Sequence, residues 1–136
     1  MATTGRRTNV EIVEGAYEAF NGGDMDALMG AIHEDVEWHE LEGSNLGGTY
    51  HGHDEVAGNV FGPTAELYEG FQAVPDEFVD GGDTVVVLGS YEGAVSETDG
   101  SIDGIPFAHV LGVTDGRISS FTNYTDTQLF ARAFEA

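Results

Sequence analysis

The chain contains no cysteine and no lysine. Without cysteine there is no disulfide framework, no zinc–thiolate site and no cysteine nucleophile. Positive charge is scarce. Arg6, Arg7, Arg117 and Arg132 stand against 25 acidic residues, giving a formal net charge of −21 over 136 residues. So negative a chain has no electrostatic footprint for the phosphates of nucleic acid or for an anionic membrane, and neither is expected as a partner. No apolar run approaches the ~18 residues of a membrane span. Arg6-Arg7 is not followed by the apolar stretch of a secretory signal, so a cytoplasmic location is expected.

What is present can fold. Hydrophobic residues make up 40% of the chain and aromatics 10%, enough for a core despite the charge. The length suits one domain, expected over residues 9–136 behind a flexible N-terminus of residues 1–8. The acidic residues are spread along the whole chain and form no tail. A dispersed carboxylate surface without lysine fits a concentrated-salt cytosol, where a Debye length of a few ångströms relieves self-repulsion.

The periodicities read as helices first and strands second. Thr8 is positioned to cap a helix from Asn9 to about Asn21, with Val10, Val13, Tyr17 and Phe20 at helical spacing. Asn21-Gly22-Gly23 stops it, and Asp24 caps a short second helix bearing Met25, Leu28, Met29 and Ile32. Residues Val36 to Leu41 alternate as a strand, placing Val36, Trp38 and Glu40 on one face and His39 on the other. A glycine-rich loop, Glu42 to Gly52, precedes a third helix expected from His53 to Glu69, with Pro63 kinking it. Four strands follow, at Phe71–Asp80, Thr84–Glu97, Ser101–Val113 and Arg117–Asp126, separated by hairpin signals. A last amphipathic helix is capped by Asp126. This order argues an α+β fold with one sheet face curled round a pocket and the other solvated or in a dimer.

Several segments resemble the SnoaL-like branch of the nuclear-transport-factor-two-like superfamily, which also holds ketosteroid isomerases and limonene epoxide hydrolases. They are Tyr17 to Asp24, Glu34-Asp35-Val36-Glu37-Trp38-His39-Glu40, Gly48 to Val56, Pro106-Phe107-Ala108-His109-Val110 and Phe121-Thr122-Asn123-Tyr124-Thr125-Asp126. The resemblance implies a cone-shaped, curved antiparallel sheet wrapped round N-terminal helices. This is a cystatin-like α+β barrel with an internal pocket, usually a homodimer through the sheet face.

It also implies a site. Glu40 stands where the isomerases carry a carboxylate base, with Trp38 as an apolar wall that keeps it basic; as one of 25 acidic residues it also reads as a solvated strand-edge side chain. His109 matches a polar pocket position and would donate to a developing oxyanion; it also reads as a satisfied core histidine. Asn123 falls where the cyclases and epoxide hydrolases keep Asp, and an amide cannot transfer a proton at neutral pH, so its role would be orientation. The epoxide hydrolases' Arg and Asp fall on Gly89 and Tyr91. The isomerases' oxyanion tyrosine falls on Ala16, and Tyr17 beside it points elsewhere on the helix, entering only as pocket lining with Trp38, Tyr91, Phe107 and Phe121. No metal site is expected, because His51, His53, Asp54 and Glu55 read as a helix start.

Two functions remain open. One is a cofactor-independent isomerase or cyclase in which Glu40 removes a proton from a small apolar carbonyl compound. The substrate carbonyl would serve as the electron sink. The other is a non-catalytic dimeric ligand-binding or scaffold domain of the same fold.

Overall fold

The computed structural model describes residues 8–44 and 46–136. Except for Thr8, the expected flexible N-terminus lies outside the described residues. Helix α1 spans Asn9–Gly22. Thr8 caps it through a full capping box: its side chain accepts from Glu11 N–H, while the Glu11 carboxylate accepts from Thr8 N–H at 2.9 Å. Helix α2, Met25–Gly30, is capped by Asp24. The strands are β1, Ile32–Glu40; β2, Gly48–His51; β3, Tyr68–Asp80; β4, Thr84–Val95; β5, Pro106–Thr114; and β6, Arg117–Thr125. Helix α3 is Gly52–Val56, α4 is Gly62–Leu67 and α5 is Thr127–Glu135.

The strands form one curved, unclosed six-stranded sheet in the order β2-β1-β6-β5-β4-β3. The α+β architecture matches the expectation. The sheet is mixed, however, because β1 runs parallel to β6 while every other pair is antiparallel. The helices after β2 lead into β3 running antiparallel to β1, and three further reversals bring β6 parallel to β1. Between β5 and β6, Asp115 and Gly116 both adopt positive φ, 53° and 77°, as a two-residue type I′ turn demands.

Four segments depart from the sequence reading. Ile32, expected on the second helix, opens β1, which starts four residues before the expected Val36. The loop from Glu42 to Gly52 contains β2, a four-residue edge strand paired to Glu37–Glu40. It is too short and too polar to show periodicity. The expected long third helix is divided: α3 is followed by a wider π-helical stretch at Ala57–Phe61, then by α4, which ends at Leu67. Pro63 lacks an N–H and crowds the carbonyl four residues back, and Gly62 N–H bonds to Ala57 O, five residues away. The strand expected from Ser101 starts at Pro106, with Ser101 making only an isolated bridge to Ala94.

Asn21 holds α1 against the sheet. Its side chain donates to Ala73 O at 2.8 Å and accepts from Ala73 N–H at 3.0 Å, pairing as a strand residue would. The core lies between the helices and the inner face of the sheet, where Val85, Val87, Tyr91, Phe107, Leu111, Ile118 and Phe121 are buried. The outer face carries Leu88 and Tyr124, which are 38% and 51% exposed.

Candidate functional site

Between the sheet and the helices lies a cavity of about 140 Å³. An apolar cavity on the order of 150 Å³ accommodates a benzene-sized molecule. Its wall is largely aromatic and aliphatic, and its polar groups include Glu40, His109 and Asn123 beside tyrosine, serine and threonine hydroxyls.

Strand β1 delivers Trp38 and Glu40 to the same face because they are two residues apart. The Trp38 indole N–H donates to Glu40 Oε2 at 2.7 Å, and Asn123 Nδ2 on β6 donates to Oε1 at 2.9 Å. Burial raises the Glu40 pKa above the ordinary glutamate value, and the two hydrogen bonds oppose that shift by favouring the anion. Each carboxylate oxygen keeps a further lone pair, so Glu40 can accept a proton without leaving its supports. Trp38 itself is fixed by stacking on Phe121, with ring centroids 3.9 Å apart.

His109, on β5, lies across from Asn123 in the sheet register. Its ring stacks on Phe107 at 3.9 Å. Nε2 pairs with the Tyr91 hydroxyl at 2.7 Å, and Nδ1 pairs with the Tyr17 hydroxyl. Burial pushes the His109 pKa down to about 3, against an opposing contact with Asn123. The ring is therefore neutral, and one tyrosine donates to it while the other accepts from it. Burial, and next the charge of Glu40, raise both phenols well above their usual value, so they stay protonated. Tyr68 lines the same cavity, its pKa pushed up to about 12 by the same two causes.

These shifts act on stability in opposite senses. His109 contributes fully above the ordinary histidine value, and the contribution is lost as pH falls from there towards 3. Glu40 contributes fully below the ordinary glutamate value and loses its contribution as pH rises through its raised one. The imidazole NMR signals of His109 are expected to stay unchanged from pH 8 to about pH 5. A midpoint between those values would refute a neutral, closed tyrosine–histidine–tyrosine chain.

The cavity thus brings together Glu40, His109, Asn123, Tyr17, Trp38, Tyr91 and Phe121. Phe107 is a correction: it stands outside the cavity lining and backs His109. Tyr17 is another. It points into the pocket, because Val13, Ala16, Tyr17 and Phe20 share one helical stripe, so Ala16 and Tyr17 both line the cavity. Both nitrogens of His109 are engaged, so a direct bond from its ring to a ligand is not open in this arrangement. His39 turns away from Glu40 to bond Glu37 at 2.7 Å and Thr49 at 3.0 Å, and His53 Nε2 donates to Ile32 O at 2.8 Å. Among the described residues no three His, Asp or Glu side chains are placed to share a metal ion.

Residues 13–121 match the family model for the SnoaL-like domain. The chain belongs to the SnoaL-like family. An NTF2-like protein from Burkholderia thailandensis is 37% identical and superposes with a TM-score of 0.90, over 96% of this chain and 100% of that one. A second NTF2-like protein, from Burkholderia pseudomallei, is 32% identical with a TM-score of 0.85 over 96% and 100%. TerC, co-crystallised with polyporic acid, is 30% identical with a TM-score of 0.83 over 94% and 98%. No curated protein matches the chain in sequence.

In this SnoaL-like chain, Gly89 has no room for the arginine of the epoxide hydrolases. A Cβ there would lie 2.1 Å from Val74 O and 2.7 Å from Phe107 Cζ. Among the wall residues of the SnoaL-like pocket that the sequence reading missed are Tyr68, Phe130 and Phe134. Tyr68 fell inside the helix expected to reach Glu69, which hid its inward direction at the start of β3. The two phenylalanines were visible only as the apolar side of α5.

Proposed function

We propose that the cavity binds a small, largely apolar and aromatic carbonyl compound and that Glu40 is its general base. The observation that carries this reading is a carboxylate with a raised pKa, held by two N–H donors inside an apolar cavity that phenol groups also face. Glu40 takes a proton from the carbon next to the carbonyl, and the electron pair moves onto the carbonyl oxygen as an enolate. A phenol of the Tyr17–His109–Tyr91 chain donates to that oxygen, and Glu40 returns the proton. The co-crystal of TerC with polyporic acid supports an aromatic oxygenated ligand. No cofactor is called on, because the carbonyl accepts the electrons.

The test is solvent exchange. Phenylacetone in D₂O should lose its benzylic proton signals faster with the protein than without it. Binding without exchange would leave the second reading, a non-catalytic ligand pocket. That reading is favoured by Asn123, which cannot carry a proton, and by the engaged nitrogens of His109.

The charge of −21 supports a high-salt setting. The melting temperature should rise by roughly ten degrees between dilute buffer and multimolar KCl, since screening relieves a self-repulsion of several kcal/mol. An unchanged melting temperature would rule the setting out. Leu88 and Tyr124 on the outer sheet face support pairing with a second copy there.

A further inference from the structure

Among the described residues, three tyrosines line the cavity: Tyr17, Tyr68 and Tyr91. Two have partners already. The Tyr17 and Tyr91 hydroxyls hold His109 between them, and Tyr91 also meets the Asn123 amide. The Tyr68 hydroxyl has no hydrogen-bond partner among the described residues, and protein atoms do not close over it. The residue as a whole is 8% exposed, so its ring is packed while its oxygen stays open. Tyr68 is the first residue of β3, directly after α4. Its ring lies against Phe71, Phe134 and Phe130, at centroid distances of 5.0, 5.7 and 6.2 Å. Those rings also line the cavity, and they fix the phenol without bonding its oxygen. Burial, and next the charge of Glu40, push its pKa up to about 12. The hydroxyl therefore keeps its hydrogen and lies within the field of the carboxylate.

We propose that Tyr68 is a further catalytic residue of this cavity, its hydroxyl donating to the substrate's carbonyl oxygen as the enolate forms. This rests on the reading of Glu40 as the base. The C–H bond next to the carbonyl breaks, Glu40 takes the proton, and the electron pair settles on the carbonyl oxygen. Negative charge leaves the carboxylate and appears on the substrate. A donor already fixed in an apolar wall stabilises that charge without having to reorganise. The oxygen has two lone pairs, so Tyr68 acts beside the phenol of the histidine chain. Unlike Tyr17 and Tyr91, it has no histidine to hold. Tyr68 keeps its proton throughout, and Glu40 returns the other one to carbon.

The experiment is Tyr68→Phe in the full chain, which keeps the ring and removes the oxygen. Exchange of phenylacetone's benzylic protons should fall about a hundredfold in kcat, the effect of losing one donor to a developing oxyanion. KM should change by no more than about threefold, because the contact strengthens in the transition state. Propylbenzene, which has no oxygen, should inhibit both proteins equally. The melting temperature should not fall, because the hydroxyl bonds nothing in the protein. A kcat within about threefold of wild type would overturn the proposal and leave Glu40 as the base, which Glu40→Gln tests separately. A lower melting temperature with weaker inhibition by propylbenzene would also overturn it, since the hydroxyl would then be structural. No exchange by the wild type would overturn both readings.

Discussion

Glu40→Gln should slow the exchange of phenylacetone's benzylic protons by about a thousandfold, within the ~10²–10⁴ range of a positioned general base. The change removes the basic lone pairs and little else. The glutamine oxygen can still accept from Trp38, and its amide can donate to Asn123 once that side chain turns, so both supports of position 40 persist. The same substitution removes a carboxylate that burial makes reluctant to ionise. The variant should therefore melt above wild type at pH 8, with the gap closing near pH 4. This pairing separates catalysis from folding, because activity falls while stability rises. Exchange within tenfold of wild type would remove Glu40 from the role of base.

Gly89→Ala should cost about 3 kcal/mol of stability, read from the shift in urea midpoint at unchanged slope. Position 89 pairs with Pro75 on β3 and Phe107 on β5. An added Cβ would come within 2.1 Å of the Val74 carbonyl oxygen and 2.7 Å of the Phe107 ring. The first is backbone and cannot rotate aside, so β3 must move away from β4. The second is the ring on which His109 stacks, so the tyrosine–histidine–tyrosine chain should loosen with it. A cost below about 1 kcal/mol would mean that the sheet yields there more easily than its contacts indicate.

Much of this was legible along the chain. The capping box at Thr8 and Glu11, the Asp24 and Asp126 caps, and the Asp115-Gly116 turn are local. Their chemistry operates over three or four residues, so the sequence alone marks where those helices begin and where that hairpin turns. Strand alternation likewise put Trp38 and Glu40 on one face, and His39 on the other, before any tertiary contact was known. The segments around Glu40, His109 and Asn123 carried the family.

Other features had no local signature. β2 exists because Glu37–Glu40 offers it an edge, and the parallel pairing of β1 with β6 joins segments some eighty residues apart. The direction of Tyr17 depends on how α1 lies on the sheet, which Asn21 sets by bonding to Ala73. By itself the sequence determined the fold class, the carboxylate and the residues able to reach it. Only the tertiary structure decided that His109 is closed off by two tyrosines and that the Asn123 amide N–H is committed to Glu40. Hydrogen-bond saturation is a property of groups gathered in space, and it cannot be counted until the chain has brought them together.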